Sequence, residues 1–192
     1  MPLKSKGYDK SYAGVQLFFN HLMAIINHRP YTYPDGSIYI PSALQSMQGS
    51  VKYTDYAIHK FFKDAAAKPW FNNTVFMIVA DQCSRSAGKT DLPVNRYHIP
   101  CFIYAPQLIK PVMEERLTCQ IGLAPTVLGM IHINYISCFV GFDIYRTPIE
   151  KDRAFISTCQ NMGFIKNNKL VILSPQKKAA QYQPDFLTGA AT

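Results

Sequence analysis

Six apolar residues in succession, Val75 to Ala80, end at an acid and an amide, Asp81-Gln82. A β-branched, apolar run of this length needs cover on both faces, which predicts a central parallel strand. Just ahead of it, Val51 to Lys68 places Tyr53, Ala57, Ile58, Phe61, Phe62 and Ala65 at helical spacing before Pro69. That spacing predicts an amphipathic helix stopped by the proline. Beyond the polar stretch CSRSAGKTDLPVNRYH, Pro100 opens a second buried strand, CFIYA, which Pro106 closes. Helix and apolar strand in alternation imply an α/β sheet flanked by helices.

The rest of the chain fits around that pattern. Val15 to Ile26 (VQLFFNHLMAII) reads as a further buried strand running into the loop NHRPYTYPDGS. Pro30, Pro34 and Asp35-Gly36 make this loop irregular, so tertiary contacts must place its side chains. Gln120 to Ile131 (QIGLAPTVLGMI) has helical periodicity, with Pro125 restricting where its first turn lies. From Arg153 the pattern changes: RAFIS is a short strand, and GFIKNNKLVIL reads as two strands joined at Asn167-Asn168. The segment KKAAQYQ suggests one helical turn, and the last ten residues are expected to be loose. The division this predicts is an α/β body over 1–148 and a small antiparallel β appendage over 149–192. No internal repeat is visible.

Composition narrows the functional classes. The chain has 192 residues, of which 48% are hydrophobic and 17% charged, enough for a folded domain with a sizeable core. Its formal charge of +8 permits anionic ligands, although basic residues scattered this way read first as a solvated basic surface. The densest basic pairs, Lys4/Lys6 and Lys177/Lys178, lie near opposite ends, and no basic run or nucleic-acid motif is present. No nucleic-acid partner is therefore expected. The five cysteines form no CxxC pair, and Cys101 and Cys119 read as small buried hydrophobes. MPLKSKGYDKSYAG lacks the apolar core of a secretory signal, and no stretch approaches the roughly 18 apolar residues of a membrane span. A chain without either feature is expected to be soluble and to stay where it is made.

Ligands of open α/β sheets bind beyond the carboxyl ends of the strands. That rule selects three places: the NHRPY loop, Asp81-Gln82 and the loop carrying His98. Asp81 can hold a cation at the sheet edge, or act as a helix cap or a salt-bridged loop acid. His28 beside Arg29 suits a phosphate or sulfate group through charge and paired donors, or is a loop histidine bonded to backbone. His98 carries the same two readings. His21 and His59 fall inside a strand and a helix and read as structural, while His132 can cap the helix it follows.

The ordered set from Val51 through VFMIVADQ, RYHIP and CFIYAP, with NHRPYTYP upstream and QIGLAPTVLGMI downstream, resembles the C-terminal part of sulfatase-like phosphoglycerol transferases. Lipoteichoic acid synthases belong to that branch of the alkaline phosphatase/sulfatase superfamily, and the resemblance runs from about Phe18 to Leu173. It implies a threonine nucleophile attacking phosphorus or sulfur, assisted by one divalent cation, manganese, magnesium or zinc. The ligands so implied are an early Glu, the Thr itself and an Asp-His pair closing a buried strand. Asp81 matches that Asp, with Gln82 in the histidine's place. His28 matches a histidine that contacts the substrate phosphate, and His98 resembles a second anion-contacting histidine.

Two departures stand out. Gln82 offers only a neutral amide oxygen where imidazole is usual, and Gly122 stands where the family helix usually has Asp. The Glu and Thr are expected on an N-terminal half supplied separately. The resemblance therefore implies a fragment that handles phosphate or sulfate esters and is inactive alone. The alternative is a non-catalytic, decayed copy with weak anion binding. Family catalytic domains lie outside the cytoplasmic membrane, although this chain shows no export information. One edge of its sheet should be open to pairing.

Overall fold

The computed structural model describes residues 4–12, 15–83 and 92–191. The chain has an α/β fold that divides into two units, 1–71 and 72–192.

In the first unit, strands β1 (Lys4–Tyr12) and β2 (Val15–Met23) pair antiparallel along their whole length, with Tyr8 opposite Phe19. The run expected as a buried strand is thus a strand of a two-stranded ribbon, and Phe18, Phe19, Leu22 and Met23 are exposed. A ribbon has no second layer of its own, so apolar sequence alone cannot bury it. Phe18 finds partial cover edge-on against Trp70, their centroids 5.4 Å apart.

Helix α1 (Met47–Ala66) begins one turn earlier than periodicity suggests. Ser46 caps it by accepting the Gly49 N–H at 3.0 Å. Ser50, Tyr53, Ala57, Phe61 and Ala65 share its more buried face, the spacing of a helix resting on one side. Tyr53 stacks on Tyr33 with centroids 5.2 Å apart. Tyr33 is buried, its N–H donates to Ser42 Oγ at 3.1 Å, and its hydroxyl donates to the Ile40 carbonyl at 3.1 Å. As the loop's prolines and turn residues predict, these tertiary contacts hold 31–42 in place.

In the second unit, β3 (Phe76–Val79) and β4 (Cys101–Tyr104) form a two-stranded sheet among the described residues, with Val79 opposite Cys101. The pairing is antiparallel, which corrects the expectation of a central parallel strand. A continuous apolar run states that a strand wants cover, but it carries no information about the direction of its neighbour. Both strands are only partly covered, and Met77, Phe102 and Tyr104 are exposed. Cys101 is likewise exposed rather than a buried hydrophobe.

Helix α2 (Leu123–Met130) follows a 3-10 turn at Gln120–Gly122, with Pro125 in its first turn where the missing N–H costs nothing. It ends in a backbone cap: the His132 N–H donates to the Gly129 carbonyl and the Ile133 N–H to the Leu128 carbonyl. His132 sits at φ 56° in that cap, so its backbone closes the helix.

Four antiparallel strands, β5 (Ala154–Ser157), β6 (Met162–Lys166), β7 (Lys169–Ser174) and β8 (Lys178–Tyr182), form the main sheet in sequential order. Asn167 and Asn168 both have positive φ and make the two-residue turn between β6 and β7. β8 replaces the helical turn expected of KKAAQYQ. Its alanines and lysine favour helix, but propensity over so few residues is a weak prior, and pairing with the open edge of β7 outweighs it.

The last ten residues are not loose as far as Ala191. The Asp185 N–H bonds the Ala190 carbonyl, Pro184 bridges Ala191, and Ala191 packs on the core. That core gathers Ala154, Ile156, Ile165 and Leu170 with Leu92 and Val94. Leu170 is fully buried, worth about 2 kcal/mol of apolar burial.

Candidate functional site

Antiparallel pairing decides which ends meet. Because Val79 lies opposite Cys101, the end of β3 and the start of β4 share one end of their sheet. Asp81, two residues past β3, and His98, three before β4, are thereby brought to that same end. Cys83 confirms the proximity: its thiol donates to the His98 carbonyl at 3.7 Å, and desolvation raises its pKa. Asp81, Gln82 and His98 are all solvent-exposed. Ser84 to Asp91, the middle of the polar loop, lie outside the described residues, as do Met1 to Leu3 of the expected non-signal start.

The turn at the end of β3 is held from outside the strand. Gln120 Nε2 donates to the carbonyl of Ala80 at 2.6 Å and to that of Asp81 at 3.2 Å. Gln120 opens the 3-10 turn that leads into α2, next to Cys119, which packs on the core and donates its thiol to the Phe155 carbonyl at 3.6 Å. Sequence reading gives Gln120 no role of its own. The available signal was its place at the head of the QIGLAPT motif.

Behind that turn the polypeptide is close-packed. Thr126 is buried, donates its hydroxyl to the Gly122 carbonyl at 2.6 Å and accepts the Ile144 N–H at 3.2 Å. A Cβ on Gly141 would run into the carbonyl group of Ile121, so only glycine permits the two backbones to approach this closely. Gly122 is the N-cap of α2 and supplies no side-chain cap. A Cβ there would meet the Phe142 carbonyl oxygen at 3.0 Å.

Arg116 ties the following segment down. It forks onto Asp152 at 3.0 and 2.6 Å and donates to the carbonyls of Ile144 and Thr147. The bond to Asp152 raises the guanidinium's pKa above its ordinary value. Arg153 lies over the Phe142 ring at 4.2 Å. A shallow, open cleft lies here, lined by Leu117, Thr118, Ile121, Phe142 and Arg153 among others. None of the predicted site residues lines it, and it belongs to the packing of this segment.

In the first unit, His28 and Arg29 lie on the exposed turn after β2. The Tyr31 N–H bonds the His28 carbonyl at 2.9 Å, and Asn27 accepts the Thr54 hydroxyl of α1 at 3.3 Å. The turn is thus braced on α1, while both side chains stay open to solvent. His21 and His59 are exposed on β2 and α1.

A divalent cation needs several hard or imidazole donors converging on one point. Among the described residues no three His, Cys, Asp or Glu side chains converge in that way. Asp81 with the amide of Gln82 is not a sufficient set, so the residues described here do not by themselves fit a resident metal. No helix among them is long and apolar enough to cross a membrane.

The family model described as Sulfatase matches residues 3–133. A solved structure of an alkaline phosphatase superfamily protein from Vibrio parahaemolyticus is similar over 87% of this chain, at 31% sequence identity and a TM-score of 0.79. The match takes in 41% of that protein, so this chain spans about two fifths of its length.

Proposed function

This chain belongs to the sulfatase family, and on that premise we propose that it is the anion-handling part of a domain that processes phosphate or sulfate esters. Within the family, the phosphoglycerol-transferase branch suits its motifs best. The observation that supports the reading is that the end of β3 leading to Asp81 and the start of β4 following His98 lie at one end of their sheet. An acid meant to face a cation and a histidine meant to face the ester would need a common rim, and the antiparallel ladder supports that reading without reaching either residue.

The residues of the chain divide the work by their chemistry. Arg29 offers a planar fork of donors matched to tetrahedral oxyanions, and His28 beside it adds a directional N–H. His98 supplies another donor at the sheet end. Asp81 stands where this family has a carboxylate ligand, but with Gln82 beside it the described residues do not complete a cation site. A threonine nucleophile and a glutamate ligand come, in this proposal, from polypeptide beyond these 192 residues. The chain alone binds anions weakly and does not turn over esters.

A non-catalytic role is the second reading, and Gln82 favours it. A neutral amide oxygen is a weak partner for a borderline cation, so a domain completed with this residue would hold its metal poorly. Manganese should accordingly raise the melting temperature of the chain very little, since linked stabilisation requires a concentration well above the dissociation constant.

Titration with inorganic phosphate and sulfate, followed by NMR at the imidazoles of His28 and His98, tests the proposal. Millimolar anion should shift both sets of signals beyond what chloride does at matched ionic strength. Arg29→Ala should weaken the effect at His28 about fivefold. Shifts no larger than those with chloride would remove the anion-handling role.

A further inference from the structure

We propose that Gln120 is a positioning residue that sets the direction of the Asp81 side chain. This rests on the reading of Asp81 given above. The carbonyls of Ala80 and Asp81 belong to the two peptide planes flanking the Asp81 Cα. Fixing both planes fixes φ and ψ of Asp81, and with them the direction of its Cα–Cβ bond. Val79 is the last laddered residue of β3, so the β3–β4 ladder does not govern those planes. Gln120 does, its Nε2 donating to both oxygens at 2.6 and 3.2 Å.

Since both partners are acceptors, the nitrogen of the amide must face them, which settles its orientation. The brace is anchored from behind. Gln120 follows Cys119, which packs against the core of the four-stranded sheet, and the Gly122 N–H closes the turn onto the Cys119 carbonyl at 2.8 Å. The segment that packs on the sheet core thereby reaches the end of a separate sheet through the Gln120 side chain.

The role depends on donation and not on bulk, which separates it from simple packing. Glutamate matches glutamine in shape but would turn a charged oxygen toward two carbonyl oxygens. Lysine differs in shape but keeps donors that reach both. The test compares the full chain with Q120A, Q120E and Q120K, reading iodoacetamide alkylation of Cys83, two residues beyond Asp81. Cys159, exposed on the β5–β6 connection, serves as internal reference.

Q120A and Q120E should raise the Cys83 rate about fivefold, the loss of a modest hydrogen-bonded restraint, with melting temperatures near wild type. Q120K should stay within about twofold of wild type, because its donors are retained. A Q120E rate equal to wild type overturns the proposal, as does a Q120K rate equal to that of Q120A. Paramagnetic broadening of the Asp81 and Gln82 amide signals by manganese is measured alongside. Its absence in the wild type, with the alkylation order intact, sinks the cation-facing reading of Asp81 and supports the brace alone.

Discussion

Two side chains show how much of this molecule rests on single backbone contacts. Thr126 joins the start of α2 to Ile144 through one buried hydroxyl. Thr126→Val keeps the volume but removes the acceptor of the part-buried Ile144 N–H, and should cost about 1 kcal/mol in denaturant unfolding. His132 works in the opposite sense. It occupies the left-handed region at φ 56° where glycine is usual, so His132→Gly should stabilise by about 0.5 kcal/mol net of the added chain entropy, read by the same unfolding curves. Residue identities such as Asp81, His28, Arg29 and His98 could be singled out from sequence because charge beside an apolar run is conspicuous. Gln120 stood at the head of a visible motif, but its role was hidden, because bonds from an amide to two distant carbonyls leave no local trace.

At the scale of elements, what sequence revealed and what it hid follow a physical division. The Asn167-Asn168 turn was legible because positive φ at two successive residues demands such residues. Helix α1 was legible from its periodicity. The direction of β3 relative to β4 was not, since pairing is a property of two segments. Nor was β8, whose composition leans toward helix until β7 offers it a ladder.

The C-terminal turn carries a pH dependence. The Asp185 carboxylate accepts the Thr188 hydroxyl at 2.6 Å and the N–H groups of Leu187 and Thr188 at 2.8 and 3.2 Å. The hydroxyl bond first, then the two backbone bonds, hold its pKa below the ordinary 3.8. A carboxyl depressed in the folded state stabilises fully above its unfolded value and loses that contribution as pH falls through the folded one. Protection of the Leu187 to Gly189 amides, taken relative to intrinsic exchange at each pH, should therefore be steady at about pH 5 and fall on acidification below the ordinary carboxyl range. Asp185→Asn should remove that dependence.

For the whole molecule the telling quantity is surface. The accessible area is 14545 Å². Mass scaling gives about 11,000 Å² even when 1–71 and 72–192 are counted as separate bodies. Much of the excess is apolar, including Phe19, Phe102, Met113, Ile136 and Val140. Soluble monomers rarely leave so much uncovered, which supports the proposal that further polypeptide completes the domain. The chain by itself should bind a hydrophobic dye strongly and sediment as a concentration-dependent mixture. A single monomeric species with no dye response would contradict this.

The grip of Arg116 has a further consequence. Every residue from 131 to 140 is exposed, whereas the flanking chain is riveted at Ile144, Thr147 and Asp152. A protease that severed the exposed stretch would break the covalent thread without parting the two pieces. They should migrate together on a native gel and separate only in detergent.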